Sequence, residues 1–283
     1  MDVFEQHRPL LLGLAYRLLG SMWDAEDIVQ DAYLRWVGSD RDAVDEPRAF
    51  LVTIVSHLAL DQLRGARVTR EAYVGPWLPE PVESKELGPL DTIALRDTVS
   101  MAALHLMERL TPSERAVFVL REAFRYPYQS IAEIIDVPVT TCRQLHHRAT
   151  KRLRRTESEF HPSKADHERL LEGFLDAAHS GDMDALTALL SQDVVAWNDG
   201  GGKVRAARRP IVGLDNVRAF IAGLLEKFRF TDVRIVDANG TPAAWIGDPG
   251  LEQLVTIDVH DGRIRAIYAV LNPDKLSRVR PGG

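Results

Sequence analysis

TTCRQLHHRATKRLRR, residues 140–155, carries six cationic side chains and no acid. At about 100° per residue, Val139, Cys142, Leu145, Ala149 and Leu153 fall on one face of a helix. Thr140, Arg143, Gln144, His147, Arg148, Lys151, Arg154 and Arg155 fall on the opposite face. One face packs; the other suits phosphates and base edges. A solvated basic helix has the same composition, so the preceding residues decide. LTPSERAVFVLREAF (110–124) opens with Thr111 at the N-cap, Pro112 at N1 and Glu114 at N3, a complete capping box. Tyr126-Pro127 ends that helix. Residues 128–135 predict a short helix, and Asp136-Val137-Pro138 a turn. Short helix, three-residue turn and basic second helix is the order of a DNA-binding helix-turn-helix.

The rest of the chain is not basic. Net charge over 283 residues is −6, which excludes a polybasic nucleic-acid coat. Residues 90–163 hold 11 Lys+Arg against 9 Asp+Glu, a surplus of +2, and every other block is net acidic. The single cysteine, Cys142, excludes an internal disulfide and fits a reducing cytosol; on the apolar face it reads as a small core residue. No apolar run approaches about 18 residues, and MDVFEQHRPL does not read as a signal peptide. A cytoplasmic protein with no membrane contact is expected.

Residues 4–19 have helical periodicity and stop at Gly20. Ser21 caps a second helix whose apolar stripe is Ala25, Ile28, Val29, Ala32 and Trp36, with Asp24, Asp27, Gln30, Asp31 and Arg35 off it. Pro47 suits the first turn of a third helix, with Phe50, Leu51, Ile54, Val55 and Leu58 as its expected core face. GPWLPEPVESKELGPL (75–90) reads as an extended linker, yet Trp77 and Leu78 are costly to leave in water and predict docking. A further helical stretch runs over 91–110, and HPSK (161–164) is a second linker.

Beyond it the chain is α+β. Helices are expected over 167–179, 182–190 and 215–228, with strands over 193–197 and 204–212 and three or four more in 229–270. Asp261-Gly262 predicts a two-residue hairpin turn. Strict alternation then sets His260 against Arg263 and Asp258 against Arg265 as an ion pair. The apolar face would be Val255, Ile257, Val259, Ile264, Ala266 and Tyr268, with Tyr268 and Trp197 as cavity-lining or core aromatics. NDGGGK (198–203) is a weak phosphate cradle because it leads to a strand, and it holds more glycines than a turn needs.

With those residues in place, the chain resembles the extracytoplasmic-function (ECF) sigma factors of bacterial RNA polymerase, in the subgroup with a fused SnoaL-like, nuclear-transport-factor-like domain. DAEDIVQDAYLRW is similar to sigma region 2.2, and DEPRAFLVTIVSHLALDQLR to regions 2.3 and 2.4. Residues 110–153 are similar to region four. WLPEP, DGGGK and NPDKL resemble the signatures of the fused subgroup. The resemblance implies a multidomain fold: a three-helix region two (1–75), a Pro-rich linker (76–90), a helix-turn-helix region four (91–160), and an α+β domain with a curved antiparallel sheet (165–283).

It also implies an alternative sigma factor whose partners are core polymerase, at the β′ clamp helices and β flap, and promoter DNA. Core polymerase would meet Asp24, Asp27, Gln30, Asp31, Arg35 and Trp36. The minus-10 element would meet Arg48, His57, Gln62, Arg64 and Arg67, with His57 where many relatives carry Asn. The minus-35 element would meet Thr140, Thr141, Arg143, Gln144, His147, Arg148 and Lys151, with Arg152, Arg154 and Arg155 on phosphates. Trp77, Leu78, Pro79, Asp199, Gly200, Gly201, Gly202, Lys203, Asn272, Pro273, Asp274 and Lys275 would form an intramolecular regulatory contact. No catalytic residue, metal or cofactor is expected, although Asp258 and His260 are the pair a SnoaL-like enzyme would use. Two rival readings are a helix-turn-helix regulator independent of polymerase, which has no use for DAEDIVQDAYLRW, and a sigma factor sensing a small molecule in its C-terminal pocket.

Overall fold

The computed structural model describes residues 2–87, 98–154, 164–228, 230, 232–248 and 250–280, with the side chains of 66–71, 154, 248 and 251 left aside. The chain separates into two compact units, Met1–Glu71 with Lys85–Glu157, and Ala72–Ser84 with Ser158–Gly283. This division cuts the chain differently from the expected boundaries. The two helical regions form one unit, and most of the linker belongs to the C-terminal unit.

In the helical unit, α1 (Val3–Leu19) ends at Gly20, whose left-handed backbone (φ 68°) lets its N–H reach Tyr16 O at 2.7 Å. Ser21 Oγ accepts from Asp24 N–H and starts α2 (Met22–Val37). The predicted stripe Ala25, Ile28, Val29, Ala32, Trp36 is buried. α3 (Pro47–Glu71) is turned on its axis relative to the expected core face. Leu51, Val52, Val55 and Ala59 are fully buried, whereas Phe50, Ile54 and Leu58 are half-buried. The rotation follows from α3 packing on later helices as well as on α1 and α2. Of the expected helix over 91–110, residues 91–97 lie outside the described residues and Met101–Met107 is α4. α5 (Pro112–Glu122) carries the full Thr111–Glu114 capping box. α6 (Tyr128–Ile134) and α7 (Val139–Arg154) complete the helix-turn-helix.

Buried arginines join the early and late helices. Arg115 of α5 is 3% exposed and donates to Leu18 O (2.8 Å) at the end of α1 and to Met107 O (3.0 Å) at the end of α4. Arg17 of α1, 2% exposed, donates to Gly13 O and Thr98 Oγ1. Desolvation by burial lowers its pKa to about 10.

The C-terminal unit has α8 (Lys164–Ser180), α9 (Met183–Leu189), β1 (Leu190–Asp199), β2 (Ile211–Val212), α10 (Leu214–Leu225), β3 (Asp232–Ala238), β4 (Thr241–Asp248), β5 (Leu251–His260), β6 (Arg263–Val270) and α11 (Pro273–Leu276). The expected strand over 204–212 is reduced to its last two residues. Sheet order is β2-β1-β6-β5-β4-β3; every pairing is antiparallel except β1–β6, which is parallel. Helices α8, α9 and α10 cover one face of this curved sheet, over Val194, Ala196, Val255, Ile257, Ile267 and Ala269.

The β5–β6 hairpin departs from strict alternation. His260 pairs with Arg263 as expected, but a bulge between Asp258 and Val259 sets Val259 against Ile264 and Asp258 against Ala266. Arg265 is the extra residue, and it lies 3.8 Å from Asp193 rather than opposite Asp258. The bulge exchanges faces for everything after it. Ile267 and Ala269 join the core, while Ala266 and Tyr268 turn to the other face. Tyr268 and its β1 neighbour Trp197 therefore do not line the cavity under the helices, and neither do Asp258 and His260. Among the described residues no helix is long and apolar enough to cross a membrane.

Candidate functional site: the recognition surfaces and the linker clamp

α7 separates its chemistry by face. Cys142, Leu145, Ala149 and Leu153 are buried, and burial raises the Cys142 thiol pKa. Thr140, Arg143, Gln144, His147, Arg148 and Lys151 are exposed together; Thr141 is half-buried. The adjacent histidines differ. His146 bonds Tyr128 Oη (2.9 Å) and Glu122 Oε1 (2.8 Å), while His147 faces solvent. The His146 contact holds the Glu122 carboxyl below the usual carboxylate range. Arg152 is exposed yet also paired: its Nη1 lies 2.5 Å from Oε2 of buried Glu114, where it backs the capping box. Arg155 lies outside the described residues, as does the side chain of Arg154.

On α2, Asp27, Gln30, Asp31 and Arg35 are exposed and Asp24 half-buried, all on one face. Trp36 does not belong with them. It is 3% exposed and packs its ring 6.0 Å from that of Phe50, so it serves the core. The acidic face instead carries Trp23 (56% exposed) and Leu34 (62%), which the sequence reading left out. Their position off the buried stripe was the available signal. On α3 the expected minus-10 residues do not converge. His57 and Arg64 share the outward face, and Arg64 pairs with Asp61. Arg48 and Gln62 lie on the other side, with the Arg48 guanidinium 5.9 Å from the Tyr126 ring centre. The Arg67 side chain lies outside the described residues.

The C-terminal unit holds a denser site. Asp199, 0% exposed, ends β1 on the face opposite the helices. Its Oδ1 accepts from Tyr73 Oη (2.6 Å) and Gly201 N–H (3.1 Å). Its Oδ2 accepts from Leu78 N–H (2.9 Å) and Lys275 Nζ (2.7 Å). Lys275 also donates to Leu78 O and stands over the rings of Trp77 (4.3 Å) and Tyr73 (4.9 Å). Asn272 Nδ2 donates to Tyr73 Oη, and Lys203 pairs with Asp274. Burial and the Asp199 carboxylate hold the Tyr73 hydroxyl well above its ordinary range.

The three glycines now have reasons. A Cβ on Gly200 would stand 2.7 Å from Val204 O; on Gly201 (φ 58°) it would strike Asn272 and Tyr73 Oη; on Gly202 (φ 73°) it would press Val74. A second anchor lies four residues along the linker. Val82 N–H donates to Asn239 Oδ1 (3.2 Å), and Asn239 N–H donates to Val82 O (3.0 Å). Pro79 and Pro81, buried between the anchors, have no N–H to satisfy. The expected contact residues Trp77, Leu78, Asp199, Gly201, Asn272 and Lys275 thus meet around one carboxylate, joined there by Tyr73, while Asn239 forms the second anchor; neither Tyr73 nor Asn239 was expected from the sequence. Among the described residues no group of three or more His, Cys, Asp or Glu could hold a metal ion.

Three family models match successive parts of the chain: Sigma-70 region 2 over residues 3–69, Sigma-70 region 4 over 100–153, and the SnoaL-like domain over 171–267. ECF RNA polymerase sigma factor SigJ of Mycobacterium tuberculosis is 36% identical, over 97% of this chain and 92% of its own length. Probable ECF sigma factor SigI of the same species is 31% identical over 98% and 94%. The crystal structure of M. tuberculosis SigJ superposes with a TM-score of 0.81 at 35% identity, covering 97% of each chain. The helix-turn-helix, the capped three-helix region before it and the SnoaL-like sheet therefore have one reading: the chain belongs to the extracytoplasmic-function RNA polymerase sigma factors, with a fused SnoaL-like C-terminal domain.

Proposed function

We propose that the chain binds core RNA polymerase, directs it to promoters in the cytoplasm, and is regulated in cis by its C-terminal domain acting on the linker. The acidic face of α2, with Trp23 and Leu34, is the polymerase surface. The exposed face of α7 reads the minus-35 element, with Arg and Gln suited to guanine and adenine edges. His57 and Arg64 lead minus-10 contact.

The observation that carries the regulatory part is the saturated Asp199 carboxylate gripping Leu78 and Tyr73. Residues 72–84 connect the two DNA-reading regions, and they belong to the C-terminal unit. Minus-10 and minus-35 elements lie about 25 base pairs apart, roughly 85 Å at ~3.4 Å per pair. In the helical unit, α3 packs directly on α5 and α6. Promoter engagement therefore requires those regions to part, and the linker sets how far they go. Whatever holds the linker governs promoter access.

The test is in vitro transcription with core polymerase, comparing the full chain, Asp199→Ala and a chain truncated after Leu271. Both variants are expected to change output at least three-fold. Output equal to the parent from both would refute control through the clamp.

A further inference from the structure

Beneath α8 and α10, on the face of the sheet away from the clamp, lies a cavity of about 70 Å³. Phe174, Phe220, Phe230 and Ile267 are among the apolar side chains that line it. Among the described residues its lining includes no Asp, Glu, Lys or Arg, and exposed His179 is one of its members. Two amides interrupt the apolar wall, Asn198 of β1 (6% exposed) and Gln253 of β5 (5% exposed). Asn198 Nδ2 is fully buried and has no hydrogen-bond partner among the described residues. A buried donor without an acceptor is costly, and a core built only for packing would carry Leu there. An apolar hollow with a few polar groups aimed inward is the form of a small-molecule site.

We propose that this cavity binds a small, neutral, mainly apolar molecule bearing one carbonyl oxygen, which accepts from Asn198 Nδ2, with Gln253 as a second polar contact. None of the described lining residues is an acid, lysine or arginine that would compensate the desolvation of an ionic ligand. The volume suits a ligand no larger than a single small ring in its enclosed part. The site lies on the opposite face of β1 from the clamp, and its reading does not rest on the regulatory one.

The test uses the full-length protein with cyclopentanone and methylenecyclopentane, which share a shape while only the first carries a carbonyl oxygen. Binding is read by saturation-transfer NMR and by the thermal midpoint. Cyclopentanone is expected to bind at least ten-fold more tightly than the hydrocarbon. Asn198→Leu is expected to abolish that preference while melting no lower than the parent, since it removes an unpaired buried amide. Gln253→Leu serves as a second variant and should weaken cyclopentanone several-fold. Equal binding of the two probes, binding of neither, or full preference retained in a folded Asn198→Leu protein would overturn the proposal.

Discussion

Arg115 in the helical unit and Asp199 in the C-terminal unit both join segments far apart in sequence through a buried charge. Arg115 directs its guanidinium to main-chain carbonyls at the ends of α1 and α4, and its Nη2 lies 2.7 Å from Glu108. Those carbonyls belong to last helical turns, where intrahelical donors run out, and Met107 O accepts from Leu110 N–H as well. Asp199 instead receives a phenol, two main-chain N–H groups and an ammonium, and half of these come from a linker with no regular secondary structure at Tyr73 and Leu78. The first charge completes helix ends in both DNA-reading regions, so its bond to Leu18 O has to break when the regions part. The second grips a strap, and a strap can leave while the sheet stays folded.

The largest expected effect tests the strap. Asp199→Ala leaves Lys275 buried with no anion, and should cost about 3–5 kcal/mol, read by chemical denaturation of the full chain. Next is pH. Burial lowers the pKa of His167 in α8 from 6.5 to about 4. The unfolded chain takes up a proton at 6.5 that the folded chain refuses. The stability from neutral His167 is thus complete above pH 6.5 and is lost as pH falls toward 4, by up to about 3 kcal/mol at ~1.4 per unit. His167→Leu should flatten that slope in denaturation measured at several pH values. Arg115→Met should cost roughly 2–3 kcal/mol, because Leu18 O, Met107 O and Glu108 lose the guanidinium they share. Faster hydrogen exchange at the end of α1 would mark it. The smallest effects separate the adjacent histidines. His146→Ala should cost about 1–2 kcal/mol, whereas His147→Ala should stay within about 0.5 and instead weaken binding to minus-35 DNA. Equal stability losses would erase the division of labour on α7.

α7 was legible because helical periodicity spreads over four turns, and no single residue can shift it. The capping box at Thr111 was legible for a local reason: both partners lie within four residues. The hairpin was not, because strand parity depends on every residue being counted. One bulge at Arg265 moved Tyr268 off the predicted face. The excess of glycine in DGGGK was visible, but its cause was not. Tyr73, Val74 and Asn272 press on that loop from far along the chain. The minus-10 residues were chosen by type along α3, and the turn of the helix divides them between two faces.

The linker's prolines have a consequence for the clamp. Between the anchors at Leu78 and Val82, Pro79 and Pro81 each fix one backbone angle near −65°. The segment therefore stays close to its captured shape even when free, and little conformational entropy is lost on recapture. Its grip is mostly on main chain, through Leu78 N–H and O and Val82 N–H and O. Such a strap behaves as a preorganised, tethered ligand at high effective concentration, so release is expected to be brief unless something else takes hold of it.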